Sequence, residues 1–309
     1  GRRSLRDGSH VGDVASGRLQ DDEAHDGYGA ALIQDDTAAP SFRDAGLERV
    51  EDCFPVFDFG DFVCVVEFVD IETAIGEVEL AGKKVLIIGA ARSGIAAARF
   101  LVRRGAVVAI TDQKPIEKWT PDALTLKESG VGLLPGEPPS WLLDQLDLVV
   151  VSPGVPADII PIRYAERAGA EVIGEVELAA RYLKGRIIAI TGSNGKTTTT
   201  SLIGELLRDA GMQVQVGGNI GKALISMVES SRDDGWTVAE LSSFQLETIP
   251  TFRPSIAIVL NVTPNHMDRY ETFNDYAAAK HRIFMNQTAG DVAVLNADDP
   301  HAASFATRP

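Results

Sequence analysis

The sequence predicts an α/β protein in which two parallel sheets follow one another along the chain, behind an acidic N-terminal segment. From about residue 84 onward, short apolar runs alternate with stretches of helical periodicity, which is the pattern of doubly wound parallel sheets. Glycine-rich loops at 89–94 and 192–195 each follow an apolar run and open a helix, as phosphate-binding loops do in such sheets. The 309 residues are enough for two domains that each bury a core.

Residues 1–77 form a segment that differs in composition from everything after it. The first 80 residues contain 19 Asp and Glu, six Arg and no Lys, a net charge of −13 out of −15 for the whole chain, so the other 229 residues carry about −2. No helical or strand period is sustained before about residue 71, although the aromatic stretch at 54–69 is compatible with a strand. Two interpretations stay open: sequence translated upstream of a true start at Val78, or an acidic arm that binds a partner.

The composition excludes several classes of protein. Hydrophobic residues make up 45% and charged residues 24% of the chain, as in globular proteins that are soluble in water. No apolar run approaches the ~20 residues that span a bilayer, and the N-terminus lacks the pattern of a secretory signal, so we expect no membrane insertion. Cys53 and Cys64 are too few for a disulfide framework and lack zinc-ligand neighbours, which favours a cytoplasmic setting. A net charge of −15 would ordinarily argue against a nucleic acid partner, and none is expected here, although nearly all of that charge lies in the first 80 residues.

The first sheet domain is predicted to span residues 78–180. Its first strand is apolar throughout, as expected for a strand buried on both faces of a parallel sheet, and the helix behind it is closed by Gly105. A polar connection with five prolines follows the second strand. The predicted strands cover residues 85–88, 107–111, 148–151 and 171–173, and the predicted helices cover 95–104 and 160–168.

The second sheet domain is predicted to span residues 181–300, after a linking helix at 175–184. Its first strand and the loop behind it lead into a helix that Gly211 ends. The series is expected to continue beyond the last residues, so that 301–309 would be the start of a further domain. The predicted strands cover residues 187–191, 213–216, 237–240, 256–261 and 292–296, and the predicted helices cover 198–210, 223–230 and 276–285.

The first glycine-rich loop, Gly-Ala-Ala-Arg-Ser-Gly at 89–94, predicts a nucleotide site at the edge of a Rossmann-like sheet. Asp112 ends the next strand, where a ribose-binding carboxylate belongs. Ala91 replaces the glycine that lets a dinucleotide pyrophosphate approach the backbone, so a UDP-sugar is favoured over NAD. A turn that serves only helix–sheet packing is the alternative. The candidate residues for a UDP substrate are Arg92, Ser93, Asp112, Ser152, Pro153 and Gly154.

The second loop, Thr-Gly-Ser-Asn-Gly-Lys-Thr-Thr at 191–198, predicts binding of ATP by a P-loop-type domain. Its backbone N–H groups and the helix N-terminus favour phosphate, Lys196 adds a positive charge, and the Thr197 hydroxyl can bind Mg²⁺. The general P-loop pattern also asks for glycine where this chain has Ile190, so the loop is a shortened form. The candidate ATP-binding residues are Gly192, Ser193, Asn194, Gly195, Lys196, Thr197 and Thr198.

Three further motifs follow the second loop. They are Gly-Asn-Ile-Gly at 218–221, Glu-Leu-Ser-Ser-Phe-Gln-Leu-Glu at 240–247 and Asn-Val-Thr-Pro-Asn-His-Met-Asp-Arg-Tyr at 261–270. Together with the loop at 191–198, these motifs resemble the Mur ligase family and its relative, folylpolyglutamate synthase. The Ser-Ser-Phe-Gln-Leu-Glu run is similar to that of the D-glutamate-adding branch, and the resemblance extends over roughly residues 79–309.

The resemblance implies an ATP-dependent amide ligase that adds D-glutamate to UDP-N-acetylmuramoyl-L-alanine through an acyl phosphate, in peptidoglycan precursor synthesis. It also implies a third domain with the D-glutamate site, of which this chain holds only residues 301–309, so we expect this chain alone not to complete ligation. The implied partners are these small molecules, acted on by a monomer. Another Mur-type or folylpolyglutamate-type ligase is the alternative enzyme, and a noncatalytic nucleotide-binding fragment is the alternative from a different class.

The resemblance also assigns roles to individual residues. It implies two Mg²⁺ sites: Thr197 and Glu240 bind one ion, and His266 binds the second together with Lys280 if CO₂ carbamylates that lysine. A lone histidine or a helix lysine is ordinarily a surface or packing residue, and Asn219 is equally typical of a turn. The residues implied for catalysis are Lys196, Glu240, His266 and Lys280, and those implied for the muramoyl substrate are Asn219 and Ser242.

Overall fold

The computed structural model describes residues 79–307. The acidic segment, the candidate start at Val78 and the aromatic stretch at 54–69 lie outside these residues. The described chain contains two five-stranded parallel sheets, one after the other, and the predicted fold class is confirmed. No helix within it is long and apolar enough to cross a membrane.

The first sheet alternates strands with helices. Its strands are Lys84–Ile88 (β1), Val107–Asp112 (β2), Gly132–Pro135 (β3), Leu148–Val151 (β4) and Glu171–Gly174 (β5). They are all parallel, in the order β3-β2-β1-β4-β5. The accompanying helices are Arg92–Arg103 (α1), Pro121–Leu124 (α2), Ser140–Leu143 (α3), Ile160–Arg167 (α4) and Glu175–Ala180 (α5). Successive residues of β1 enter two different apolar clusters, because both faces of a parallel sheet are covered.

The proline-rich connection contains a strand that the sequence did not predict. β3 lies at the edge of the first sheet, where Pro135 pairs with Asp112, and an edge is where a sheet tolerates proline. Gly132 and Pro135 are poor strand formers, so residue preferences concealed this strand. α1 begins at Arg92, three residues earlier than predicted, since the end of the glycine motif forms its first turn.

The second sheet follows the same plan. Its strands are Arg186–Thr191 (β6), Val214–Gly218 (β7), Trp236–Glu240 (β8), Ile256–Val259 (β9) and Val292–Leu295 (β10). They are parallel in the order β10-β9-β6-β8-β7. The α-helices are Lys196–Asp209 (α6), Ser243–Leu246 (α7), Phe273–His281 (α8) and Pro300–Ala303 (α9). Two of the predicted helical stretches are partly or wholly 3₁₀-helix, at Leu224–Ser230 and Arg282–Phe284.

α5 joins the two domains and belongs to the core of both. The predicted linking helix ends at Ala180, earlier than expected, and five of its six residues are buried. Gly174 immediately before it donates its N–H to the carbonyl of Thr248 at 2.8 Å, and a Cβ at Gly174 would overlap the Thr248 hydroxyl. One apolar cluster includes residues of α5 and of both sheets, so the two domains share part of their core.

Two buried carboxylates of α5 bind backbone N–H groups of the second domain. Glu177 accepts the N–H groups of Thr251 and Phe252 at 3.0 and 2.8 Å. Glu175 accepts the N–H of Ile225 at 2.7 Å. A buried charge is costly unless it is hydrogen-bonded, so these contacts fix the position of the second domain against α5.

Candidate active site

The phosphate-type loop lies between β6 and α6, as predicted. Gly192 and Gly195 have φ angles of +151° and +82°, which other residues rarely adopt. The side-chain oxygen of Asn261 accepts the N–H groups of Ser193 and Asn194 at 3.1 and 2.8 Å, so these two amides are already engaged. The N–H groups that have no partner within the helix are those of the first turn of α6, and these are the donors available to a phosphate chain.

Lys196, in the first turn of α6, folds back over the loop. Its Nζ donates to the carbonyl oxygens of Gly192 and Ser193 at 2.8 and 3.1 Å. Burial lowers the pKa of Lys196, and the negative charge of Glu240 opposes that change. Its ammonium therefore lies against the loop and beside a helix N-terminus, the two features that attract phosphate.

Glu240 ends β8 next to the loop and is 2% exposed. The Thr197 hydroxyl donates to its Oε2 at 2.8 Å, and the Asn219 side-chain amide donates to its Oε1 at 2.8 Å. A hydroxyl and a carboxylate are the hard oxygen ligands that Mg²⁺ prefers. Their contact beside the phosphate loop fits the first of the two predicted metal sites. Asn219 reaches this carboxylate directly, a contact that the sequence did not predict.

His266 occupies a strained backbone position. Its φ is +56°, and no other non-glycine residue within 79–307 has a positive φ; such a conformation costs about 1–3 kcal/mol. The N–H groups of Arg269 and Tyr270 donate to the His266 carbonyl at 3.0 and 3.3 Å, which closes a tight turn. The exposed imidazole packs on Phe244, with ring centroids 5.0 Å apart.

The described residues do not assemble a complete metal site from protein ligands alone. Across 79–307, no group of three or more His, Cys, Asp or Glu side chains is placed to hold an ion. The structure places the Thr197 and Glu240 side chains in contact, and the second metal site at His266 stays a prediction.

Lys280 is a buried lysine. It is 1% exposed, and its Nζ donates to the carbonyl of Gly192 at 2.8 Å and lies 4.6 Å from the ring centroid of Tyr276. Burial, with the nearby charge of Lys196, lowers the pKa of Lys280 to about 7. The alternative interpretation of a solvated surface charge is wrong. An amine with this pKa is partly neutral near pH 7, and the neutral form is the one that reacts with CO₂.

Two residues that the sequence reasoning missed hold the loop from the outside. Asn261 binds its backbone, as described, and the Tyr276 hydroxyl lies 3.0 Å from the Ser193 hydroxyl. Ser193 in turn donates to the carbonyl of Thr263 at 2.8 Å, which joins the loop to the segment that carries His266. Both were detectable: Asn261 opens the third motif, and Tyr276 precedes Lys280 by one helical turn, which places the two side chains together.

A cleft of about 210 Å³ lies between the domains, beside the ends of β1 and β4, where the strand order of the first sheet reverses. Open parallel sheets bind ligands at such a point. The Ser152 hydroxyl donates to the carbonyl of Gly89 at 3.0 Å, and a Cβ at Gly94 would overlap that carbonyl, so these glycines also serve close packing. The predicted substrate residues that line the cleft are Arg92, Ser93, Ser152, Pro153, Gly154 and Asn219.

Two predicted substrate residues, Asp112 and Ser242, do not line this cleft. Asp112 accepts the N–H groups of Ala90 and Lys114, both at 2.9 Å, and so holds the turn after β1. Ser242 caps α7 in a reciprocal capping box with Gln245, and Gln245 lines the cleft in its place. The Ser-x-x-Gln spacing was the signal for that local role, and direct substrate contact by Asp112 or Ser242 stays a prediction.

Arg92 crosses the boundary between the domains. Its guanidinium donates to the carbonyls of Gly221 and Asn219 at 2.7 and 3.0 Å. The UDP contact that the sequence predicts for Arg92 stays a prediction, and the structure shows that its side chain binds the backbone of the Gly-Asn-Ile-Gly motif. It therefore forms one wall of the cleft and ties that wall to the second domain.

Two family models match the chain in order. The Mur ligase MurD-like N-terminal domain matches residues 83–174, and the Mur ligase middle domain matches residues 190–308. These ranges contain both glycine-rich loops, the three downstream motifs and Lys280. The chain belongs to the Mur ligase family. The first sheet is thus the MurD-like N-terminal domain of a Mur ligase, and the second is the Mur ligase middle domain.

Curated relatives of this Mur ligase confirm the predicted resemblance to the D-glutamate-adding branch. Over 230 residues the chain is 56% identical to the UDP-N-acetylmuramoylalanine–D-glutamate ligase of Solibacter usitatus and 54% identical to that of Acidobacterium capsulatum. The matches cover 74% of this chain but 51% and 50% of those proteins. The chain therefore spans about half the length of the relatives it matches.

A solved ligase structure has a similar fold. The UDP-N-acetylmuramate:L-alanyl-gamma-D-glutamyl-meso-diaminopimelate ligase of Neisseria meningitides matches with a TM-score of 0.51 and 17% identity, over 74% of this chain and 76% of that chain. At this identity the likeness concerns the arrangement of the strands and helices alone.

Proposed function

We propose that this chain is the nucleotide-binding part of a ligase that uses ATP to join D-glutamate to UDP-N-acetylmuramoyl-L-alanine. The observation that carries the proposal is the connection between cleft and phosphate loop. Asn219 lines the cleft and binds Glu240, and Glu240 binds Thr197 of the loop. A UDP-linked acid in the cleft and a triphosphate on the loop would thus meet at one place. The names of relatives at 54–56% identity support the choice of substrate.

In the proposed reaction, a carboxylate oxygen of the acyl substrate bonds to the γ-phosphorus of ATP, and the bond from that phosphorus to ADP breaks. The amine nitrogen of D-glutamate then bonds to the acyl carbon, phosphate leaves, and the nitrogen loses a proton. Lys196 and the first-turn N–H groups of α6 bind the phosphate groups in both steps. Transfers of this kind depend on alignment and on neutralisation of charge.

Magnesium fits the site because Thr197 and Glu240 already place two hard oxygen atoms together. When bound, Mg²⁺ neutralises the charge of the phosphate oxygens. We assign His266 and Lys280 to a second ion. In that assignment the Lys280 ammonium first loses one proton, and the neutral nitrogen then bonds to the carbon of CO₂ and loses a second, so that a buried cation becomes a carbamate anion. The burial of Lys280 against the Gly192 carbonyl supports this reaction, since it keeps the amine out of water.

The remaining parts of the proposal follow from the same resemblance. The uridine diphosphate group lies against Arg92, Ser93 and residues 152–154, with Asp112 at the adjoining turn. The enzyme acts as a monomer in the cytoplasm. This chain, which spans about half the length of its relatives, binds these ligands without completing ligation.

Calorimetric titration of this chain with UDP-N-acetylmuramoyl-L-alanine, and separately with Mg²⁺ and ADP, tests the proposal. Both should bind, and the UDP ligand should still bind after residues 1–77 are deleted. UDP-N-acetylmuramic acid without alanine, and NAD, should bind at least about tenfold more weakly. Lys196→Met should abolish nucleotide binding and leave the UDP ligand unaffected, because Lys196 does not line the cleft.

The proposal would be refuted if the wild-type chain bound neither the UDP ligand nor Mg²⁺ with ADP. Preference for a UDP-muramoyl ligand without alanine would favour another Mur-type enzyme. Loss of partner binding on deletion of residues 1–77, with no binding of the UDP ligand, would favour the noncatalytic fragment. Release of phosphate that depends on D-glutamate would show that this chain does complete ligation.

A further inference from the structure

Arg269 belongs to the second domain, but its side chain is bound to the first. Its Nη1 donates to the carbonyl of Gly154 at 3.2 Å, and its Nη2 donates to the carbonyl of Val155 at 3.0 Å. Gly154 lines the cleft. Nη2 also lies 3.5 Å from Glu247 Oε2. Since a guanidinium offers several donors in one rigid plane, a single side chain holds the first-domain loop and the second-domain carboxylate at once.

The same residue determines the position of His266 in two ways. Its own N–H closes the turn on the His266 carbonyl at 3.0 Å. Its guanidinium carbon lies 4.4 Å from the ring centroid of Phe244, and the His266 imidazole packs on the same ring, with centroids 5.0 Å apart. Arg269 therefore contacts both the main chain of His266 and the ring on which its imidazole packs.

Arg92 makes the converse connection on the facing wall of the cleft. It belongs to the first domain and binds the carbonyls of Asn219 and Gly221 in the second, and the Asn219 side chain binds Glu240. Each domain thus extends one arginine to backbone carbonyls of the other. Both contacts flank the cleft. The Arg92 contact connects through Asn219 to Glu240, and Arg269 is hydrogen-bonded to His266, so each arginine is linked to a residue assigned to a metal site.

We propose that Arg269 is a positioning residue that couples occupation of the UDP cleft to the nucleotide and metal site. A ligand in the cleft restrains the Gly154 and Val155 carbonyls, and Arg269 transmits that restraint to the His266 turn. The inference rests on the proposed function of the cleft and of His266. We expect each ligand to strengthen binding of the other, and, because coupling between two binding sites is reciprocal, to do so by the same factor.

Calorimetry measures this coupling in the full chain. The affinity for UDP-N-acetylmuramoyl-L-alanine is determined with and without saturating Mg²⁺ and a non-hydrolysable ATP analogue. We expect the second ligand to raise the affinity about tenfold in the wild type, and less than about twofold in Arg269→Met. The affinity of Arg269→Met for either ligand alone should stay within about threefold of wild type, because the cleft and the phosphate loop both remain.

Arg232→Met is the matched control, because it removes the same charge from an exposed arginine of the same domain that pairs with Asp234. It should keep the wild-type coupling. Coupling that is unchanged in Arg269→Met, or absent from a wild-type chain that binds both ligands, would overturn the inference. A wild-type chain that binds neither ligand would contradict the proposed function instead.

Thermal unfolding establishes whether Arg269→Met keeps its fold. If it does not, Glu247→Gln provides the second test, since it removes the charge beside Arg269 and keeps an oxygen acceptor for Tyr270, whose hydroxyl lies 2.6 Å from Glu247 Oε1. In this variant, the factor by which the second ligand raises the affinity should fall at least about threefold below the wild-type value. Wild-type coupling in Glu247→Gln would then count against the role of Arg269.

Discussion

Thr197 and Glu240 are 43 residues apart in the sequence, yet their side chains form a hydrogen bond of 2.8 Å. They meet because β6 and β8 are parallel neighbours and therefore end at the same edge of the sheet. The loop after β6 and the last residue of β8 are brought together by strand order alone. A ligand site at that edge is the general property of open parallel sheets.

Glu240→Gln is expected to weaken Mg²⁺-dependent binding of ADP by about 10- to 100-fold, because the amide keeps the size of the side chain and loses its charge. Titration with ADP in the presence and absence of Mg²⁺ measures the effect. Glu205→Gln is the control, since Glu205 is exposed on α6 and pairs with Arg208. An equal loss of ADP affinity with and without Mg²⁺ would show that Glu240 does not act through the metal.

Lys280→Met should change how stability depends on pH. The pKa of Lys280 is about 7 in the folded chain against an ordinary 10.5, so between these values the unfolded chain binds more protons than the folded one. This residue therefore makes the free energy of unfolding rise with pH across that window, by at most about 1.4 kcal/mol per pH unit. The difference in free energy of unfolding between Lys280→Met and the wild type should therefore favour the variant most near pH 7 and should shrink towards pH 10.

Urea unfolding in CO₂-free buffer, at several pH values from about 7 to 10, measures the difference between Lys280→Met and wild type. Lys127→Met replaces an exposed lysine and should show a difference that does not vary with pH. A constant difference for Lys280→Met as well would mean that the buried amine keeps an ordinary pKa.

Glu175→Gln should have the opposite dependence on pH. Burial raises the pKa of Glu175 to about 7 from 4.5, so in that window the folded chain binds more protons, and the contribution of Glu175 to the free energy of unfolding falls as pH rises. Among the described residues its Oε2 has no hydrogen-bond partner. Glutamine keeps an acceptor for the Ile225 N–H and removes the charge, so the variant should be more stable than wild type by about 1–3 kcal/mol above pH 7.

Denaturant unfolding at about pH 5 and pH 8 measures this effect, and near pH 5 the variant and the wild type should be similar. Glu166→Gln alters an exposed carboxylate of α4 and serves as the control. A variant that is less stable than wild type at pH 8 would indicate that the charge of Glu175 is required at the domain boundary.

Gly174→Ala should destabilise the contact between the domains by about 1–3 kcal/mol, because its Cβ would overlap the Thr248 hydroxyl. Removal of that hydroxyl in Gly174→Ala/Thr248→Ala should recover a good part of the loss, which a double-mutant cycle of unfolding free energies measures. Gly132→Ala is the control, since its Cβ has no neighbour closer than 3.6 Å. Purely additive effects would mean that the close approach at Gly174 is readily relieved.

The buried strands and the phosphate loop could be predicted because their signals are local. Apolar runs such as that of β1 come from burial on both faces, and the loop at 191–198 carries its glycines and its lysine in consecutive positions. β3 could not be predicted in this way, since a strand that contains Gly132 and Pro135 forms only because β2 offers it an edge. Its formation depends on tertiary pairing.

The site residues show the same difference between local signals, which the sequence reveals, and tertiary contacts, which it does not. Lys196 and Glu240 were predicted from motifs, whereas Arg269 was not singled out, because its partners are carbonyl groups more than a hundred residues away in the chain. Ser242 was assigned to the substrate although its spacing from Gln245 is that of a helix cap. A side chain's partners across a domain boundary leave no periodic or local pattern to detect.

Arg92 and Arg269 both bind main-chain carbonyls of the opposite domain. Every amino acid carries that acceptor, so the residues at positions 155, 219 and 221 can mutate without removing it, provided that the backbone keeps its path. In these two contacts, the side-chain requirement therefore falls on the arginines and not on the residues that supply the carbonyl groups. A homologue could preserve this arrangement while its facing loops diverge beyond alignment.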